Sequence, residues 1–329
     1  MLVRHFTLLL PLLLLACKPA GDKNPFAQQL KEPPYAELSL QIEENPQNDS
    51  LYFERALLLI QNEQPVAARL DLEKAWSLRP KPEYALALGS QLSETPAEQL
   101  EFLKKATRQL ANNFLLDWAL ADTWQRNGEP DAALQLTETW MQKGADDPEF
   151  VLLHASLLKE KNRTTEALVI LENLYSKFPT ERNIQAMLAL WYANAGNEKV
   201  ILLCQQMKAA DSSQTDPLPH YYRGIYFDAR KQFALALIEF DKAIQTDYHF
   251  VEAYLEKTAI LYDQRKWSDA LNALGKALAV APDNALVYYW TAKCQQATGD
   301  KESARLNYLK AYGLDKSLTE AKQAADQLK

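Results

Sequence analysis

Small and bulky apolar residues recur along the chain in fixed phase. Ala236, Ala270 and Ala304 stand at steps of 34, and Ala243, Ala277 and Ala311 repeat the interval. Between them Phe240, Leu274 and Tyr308 keep the same phase. A second small column runs through Ala56, Gly89, Ala121, Ala155, Ala189, Gly224, Thr258 and Ala292. Three residues after each comes a bulky one: Leu59, Leu92, Trp124, Leu158, Tyr192, Phe227 and Leu261, broken at Gln295. Several columns in phase predict an array of helical pairs. Each pair presents an apolar face that only its neighbour can cover, so the array folds as a stack.

Turn and stop residues punctuate the same period. Gly128, Gly196 and Gly299 suit a left-handed residue that ends the first helix of a pair. Glu63, Asn162, Lys231 and Arg265 hold that place elsewhere and predict less ideal turns. Pro80, Pro179 and Pro282 close the second helix, because proline cannot continue it. These spacings predict repeats over 49–81, 82–113, 114–147, 148–181, 182–216, 217–250, 251–284 and 285–318. The second is two residues short around 93–96. The fifth is the most divergent, with Ile201 and Lys208 at small-residue positions, and it runs into a loop or hinge at 211–219. Residues 35–48 read as an N-terminal half-repeat helix, and polar 319–329 as a C-terminal capping helix.

These columns resemble the tetratricopeptide repeat (TPR), in which small residues at the eighth, twentieth and twenty-seventh positions let two helices pack closely. Ala68, Ala133, Ala167, Ala236, Ala270 and Ala304 hold the twentieth position here. The resemblance covers nearly all of 35–329. It implies an all-α fold, a TPR-type right-handed α-solenoid: a superhelix of about eight helix-turn-helix repeats, whose first helices line a concave groove. By family analogy the second, fifth, ninth, twelfth and thirteenth positions point into that groove. They place Phe53, Leu57, Leu86, Trp118, Asp122, Arg126, Leu152, Tyr221, Ile225, Tyr262 and Tyr289 as partner-binding residues. The competing reading is that such tyrosines pack on neighbouring repeats. The fifth position holds Phe53, Leu86, Trp118, Leu152, Ala186, Tyr221, Leu255 and Tyr289, with no lysine. Members that clamp a C-terminal carboxylate use lysine and asparagine at defined inner positions, so that activity is not supported. A peptide or helix gripped by apolar side chains fits better.

The net charge of −7 and the absence of a basic stripe argue against nucleic acid as a partner. Nine glycines in 329 residues suit stacked helices better than sheets or phosphate-cradling loops. The first residues, MLVRHFTLLLPLLLLAC, join one positive charge at Arg4 to an apolar stretch too short to span a membrane. Leu14-Leu15-Ala16-Cys17 resembles the lipobox of bacterial lipoproteins. That resemblance implies a signal peptide over 1–16 and lipid attachment at Cys17. An ordinary secretory leader with an incidental cysteine is the alternative. Each buried methylene of an acyl chain contributes about 0.8 kcal/mol, so several chains anchor stably. Residues 17–34, rich in Pro, Lys and Gln, read as a lipid-anchored flexible tether. Lys18 favours the outer membrane, facing the periplasm, by family analogy. Surface display stays open.

Nothing in the chain marks a reaction centre. No HExxH, CxxC, GxSxG or glycine-rich phosphate loop is present. His154, His220 and His249 fall at unrelated repeat positions and read as packed or surface residues. Cys204 and Cys294 lie in the fifth and eighth repeats, too far apart for a disulfide, and are expected as free, mostly buried thiols. The expectation is therefore a non-enzyme without cofactor or metal. It would be a membrane-anchored interaction scaffold of the bacterial envelope, binding envelope proteins or peptides. A regulatory docking subunit for a peptidoglycan hydrolase is the alternative. Oligomeric state is left open.

Overall fold

Helix pairs form here because each turn can satisfy the backbone groups that a helix end exposes. In the computed structural model, which describes residues 25–93 and 95–328, the amide three residues past the end of the first helix bonds back five residues. The bonds are Gln64 N to Leu59 O, Glu129 to Trp124, Arg163 to Leu158, Asn197 to Tyr192, Gln232 to Phe227, Lys266 to Leu261 and Asp300 to Gln295, at 2.8–3.0 Å. This closure requires a left-handed residue just before it. Gly128, Gly196 and Gly299 supply positive φ, and so do Glu63, Asn162, Lys231 and Arg265, with φ of 57–61°. A non-glycine residue there costs about 1 kcal/mol. Packing of the pair offsets that cost.

The helices, in order, begin with a short 3-10 turn (Gln29–Lys31) and α1 (Ala36–Glu44). Hairpins follow: α2 (Asp49–Gln61) with α3 (Pro65–Leu78), α4 (Pro82–Gln91) with α5 (Pro96–Gln109), and α6 (Phe114–Arg126) with α7 (Pro130–Gln142). Next come α8 (Pro148–Glu160) with α9 (Thr164–Lys177), α10 (Arg182–Asn194) with α11 (Lys199–Ala210), and α12 (Leu218–Ala229) with α13 (Phe233–Thr246). The last are α14 (Val251–Asp263) with α15 (Trp267–Val280), α16 (Ala285–Ala297) with α17 (Lys301–Leu314), and finally α18 (Thr319–Gln327). Among the described residues there is no strand, and no helix is long and apolar enough to cross a membrane. The chain divides into two units, to Trp140 and from Met141.

In the first unit, Ala56, Ala68, Ala75, Ala106, Ala121 and Ala133 are fully buried where helices approach most closely. Gln99 takes the twentieth position of the second hairpin, and its buried amide donates to Gly89 O at 3.0 Å. The unit opens with a polar knot. The Arg55 guanidinium forks onto both Asp71 oxygens at 2.7 and 2.8 Å and donates to Ser39 Oγ at 2.9 Å. Ser39 Oγ in turn donates to Leu30 O at 2.6 Å. Phe26, Leu30 and Tyr35 pack against Leu59, Ala67 and Ala68. The expected tether over 17–34 therefore ends sooner, since its last residues are apolar enough to dock on the first hairpin. The expected signal peptide over 1–16, lipid attachment at Cys17 and the expected tether as far as residue 24 lie outside the described residues.

In the second unit, Ala155, Ala167, Ala189, Ala236, Ala243, Ala270, Ala277, Ala292, Ala304 and Ala311 are fully buried. The fifth hairpin departs from its expected register. Val200 and Met207 are buried, whereas Ile201 is half-buried and Lys208 exposed. The cause is a tight start to α11: Val200 and Ile201 bond back three residues, to Asn197 and Glu198, and this shifts the inward face by one residue. The segment 211–217 is fastened as a loop. Asp211 accepts from Ser213 N, Ser213 Oγ and Asp216 N at 2.6–3.1 Å. Cys204 and Cys294 are both free and buried.

Candidate partner-binding faces

First helices of successive hairpins lie side by side within each unit, so the residues they point away from the second helices form a common face. In the first unit, Phe53 is half-buried, with its ring centroid 4.6 Å from that of Tyr84 in the next hairpin. Leu86 is half-buried against the same cluster of Ala75, Trp76 and Tyr84. These two chiefly join repeats. Leu57 projects, 40% exposed. Trp118 is half-buried, with its ring 6.0 Å from Phe114. Asp122 and Arg126 pair with each other at 2.8 Å along one helix, so their charges are largely spent locally.

In the second unit, Leu152 corrects the sequence reading. It is 6% exposed, one of the buried residues of α8, and is not open to a partner. Tyr221 stands edge-on to Phe250 at 5.0 Å, and its hydroxyl reaches Glu256 at 3.5 Å. Ile225 packs beside it against the cluster of Ala236, Phe240 and Ala253. Tyr262 and Tyr289 are brought together around one ammonium group. Lys293 Nζ lies 4.0 Å from the Trp290 ring centroid, 4.9 Å from Tyr262 and 5.7 Å from Tyr289. An ammonium over an electron-rich ring face is attracted by its quadrupole, about 0.5–2 kcal/mol depending on desolvation.

Carboxylates crowd the same face. Burial raises the Glu256 carboxyl above the ordinary range, and the Asp228 charge adds to the effect. Burial likewise raises Asp228, with Asp263 adding repulsion. Sequence reasoning passed over Glu256 and Trp290, which hold the sixth repeat position. The family pattern of inward positions skips it, and only the contacts they make, Glu256 with Tyr221 and Trp290 with Lys293, reveal them.

The histidines have structural partners. His220 Nδ1 is 2.7 Å from Glu239, which also receives Lys242 at 2.9 Å and Arg223 at 3.3 Å. His154 is buried, and His249 is exposed beside Tyr248. Among the described residues, no group of three or more His, Cys, Asp or Glu side chains could hold a metal ion.

Residues 260–318, which span α15, α16 and α17, match the sequence model of the tetratricopeptide repeat. A TPR protein from Parabacteroides merdae superposes with a TM-score of 0.56 at 16% identity, over 85% of this chain and 98% of that one. The fold is a TPR-type α-solenoid. Other TPR structures align more loosely. The C-terminal part of a TPR-containing protein from Cytophaga hutchinsonii gives a TM-score of 0.44 at 18% identity, over 74% of this chain and 98% of that one. YrrB, described as a TPR protein with an unusual peptide-binding site, gives 0.41 at 18% identity, over 66% and 95%. A search of curated proteins finds no match.

Proposed function

We propose that this chain is a lipid-anchored adaptor of the bacterial envelope, which holds protein partners on the first-helix faces of its TPR repeats. The observation that carries the binding role is the combination found there. Apolar side chains such as Leu57 and Leu286 are exposed, at 40% and 44%, beside rings and charges on a rigid helical scaffold. Apolar anchors supply affinity and the polar surround supplies register. The anchor rests on Leu14-Leu15-Ala16-Cys17 alone. With Lys18 following, it supports placement in the outer membrane, facing the periplasm.

Two measurements test this reading. Replacing Cys17 by Ser should move the protein from the membrane to the soluble fraction; persistent membrane attachment would defeat the anchor. A photo-crosslinking residue at Leu57 or Leu286 should capture partner proteins in intact cells. The same residue at Leu306, exposed on a second helix (59%), should capture far less. Equal or greater capture from Leu306 would defeat the first-helix assignment.

A further inference from the structure

The first-helix face of α12, α14 and α16 has a charge pattern that selects among partners. Asp228, Glu252, Glu256 and Asp263 lie along it, with Glu320 of α18 near Tyr289. None of these carboxylates has an ion-pair partner among the described residues. Several carboxylates elsewhere in the unit do have cationic partners: Glu172 pairs with Lys199, Glu166 with Arg163, Asp241 with Lys257, and Glu239 with three cations. One cation does sit on the face, Lys293. Its ammonium is held by Trp290, Tyr262 and Tyr289 and makes no ion pair. The face is therefore apolar and aromatic, with its carboxylates outnumbering the Lys293 cation.

That negative charge costs energy in the free protein. Burial pushes both Glu256 and Asp228 up toward the protonated state, with the Asp228 charge adding to the first and the Asp263 charge to the second. No packing need explains the arrangement, because a neutral amide of the same shape would fill either place. A ligand bringing positive charge would relieve the repulsion, whereas an anionic lipid headgroup or a nucleic acid would deepen it. The exposed Leu286 and the half-buried Leu255 give such a ligand an apolar footing.

Resting on the binding role proposed above, we infer that this face takes a peptide segment carrying lysine or arginine between apolar residues, its cations set against Asp228, Glu256 and Asp263. The partner class is thus a basic, partly apolar stretch of protein. Such a segment would be drawn in by long-range attraction and then held by the rings and leucines.

A display library of short random peptides, selected against the full chain and against the variant Asp228→Asn/Glu256→Gln/Asp263→Asn, tests the inference. The wild-type pool should be enriched in Lys and Arg, and the variant pool should not. Individual basic peptides should bind the variant about tenfold more weakly, a few-fold for each charge pair lost. They should also lose affinity as salt rises to about 0.5 M. The variant should melt no lower than wild type, since it removes repulsion and no ion pair. A wild-type pool that is neutral or acidic, or a variant that keeps the basic preference, would overturn the inference while leaving peptide binding intact. Failure to enrich any pool would overturn the binding role itself.

Discussion

Two glycines hold the same repeat position, the eighth, where alanine is the commonest residue in this chain, and the structure separates them. Replacing either by alanine removes a flexible residue from a helix interior, a gain of about 1 kcal/mol. At Gly89 the new methyl would meet Leu103 Cδ2 at 3.2 Å, the tip of a buried side chain that need yield only a few tenths of an ångström. At Gly224 it would lie 2.4 Å from Phe240 Cε1 and 2.6 Å from Cδ1. Phe240 is 1% exposed and wedged among Ala236, Ala243 and Ala253, so its ring must move by about an ångström with nowhere to go. Overpacking of this kind costs about 1–3 kcal/mol. Gly89→Ala should therefore stabilise the first unit by up to about 1 kcal/mol. Gly224→Ala should destabilise the second, leaving the two variants about 2 kcal/mol apart. Urea denaturation followed by circular dichroism gives the totals. Hydrogen exchange over 218–246 localises the effect, which is needed because repeat arrays do not always unfold as one. Adding Phe240→Leu to Gly224→Ala should recover part of the loss. Gly224→Ala as stable as wild type, with unchanged exchange in α12 and α13, would refute this account of the packing.

Two further predictions concern buried charge. Arg55→Met strands the Asp71 carboxylate, 3% exposed, and should cost about 3–5 kcal/mol. Burial already raises Asp71, and without Arg55 it rises further, so the loss should shrink as pH falls and Asp71 takes a proton. Exchange protection over 36–61 reads both effects, and an unchanged α1 would show the knot is dispensable. For Glu239, burial alone would raise the carboxyl, but hydrogen bonds from His220 and Lys242 and the charge of Arg223 hold it at about 2, against an ordinary 4.5. A depressed pKa gives stability that is present above the unfolded value and lost as pH falls through the folded one. The gap between wild type and Glu239→Gln should thus be about 3 kcal/mol above pH ~4.5 and close toward pH ~2. Denaturation curves at neutral and acid pH measure it, and a gap independent of pH would refute the network's electrostatic role.

Much of the fold was legible because the repeat imposes one packing problem many times. The alanines at 34-residue steps had to be small wherever a helix must come within reach of the next, and they are all fully buried. The turn position was legible even where glycine is missing, since Glu63, Asn162, Lys231 and Arg265 adopt the left-handed conformation that the closing bond demands. The register of α11 was not, because a tight i to i+3 start depends on how Asn197 and Glu198 settle, and no side-chain pattern announces it. Of the candidate site, the repeat pattern singled out Tyr262 and Tyr289, but did not show that both would gather around the Lys293 ammonium. Leu152 was misassigned to the face, since an apolar side chain at an inward position can as readily be covered by a neighbouring helix.

The amino-acid sequence by itself determined that this chain is a stack of helical pairs, because period, small-residue columns and turn residues are local demands repeated along the chain. It also carried the lipobox-like start. Only the tertiary structure decided which charges find partners. The Lys293 ammonium sits among three rings, the Arg55–Asp71 fork is sealed in the first hairpin, and Glu256 is left facing the Asp228 charge while Asp228 faces that of Asp263. Those outcomes depend on distances between residues from different helices, and they emerge only once packing has fixed how each helix is rotated.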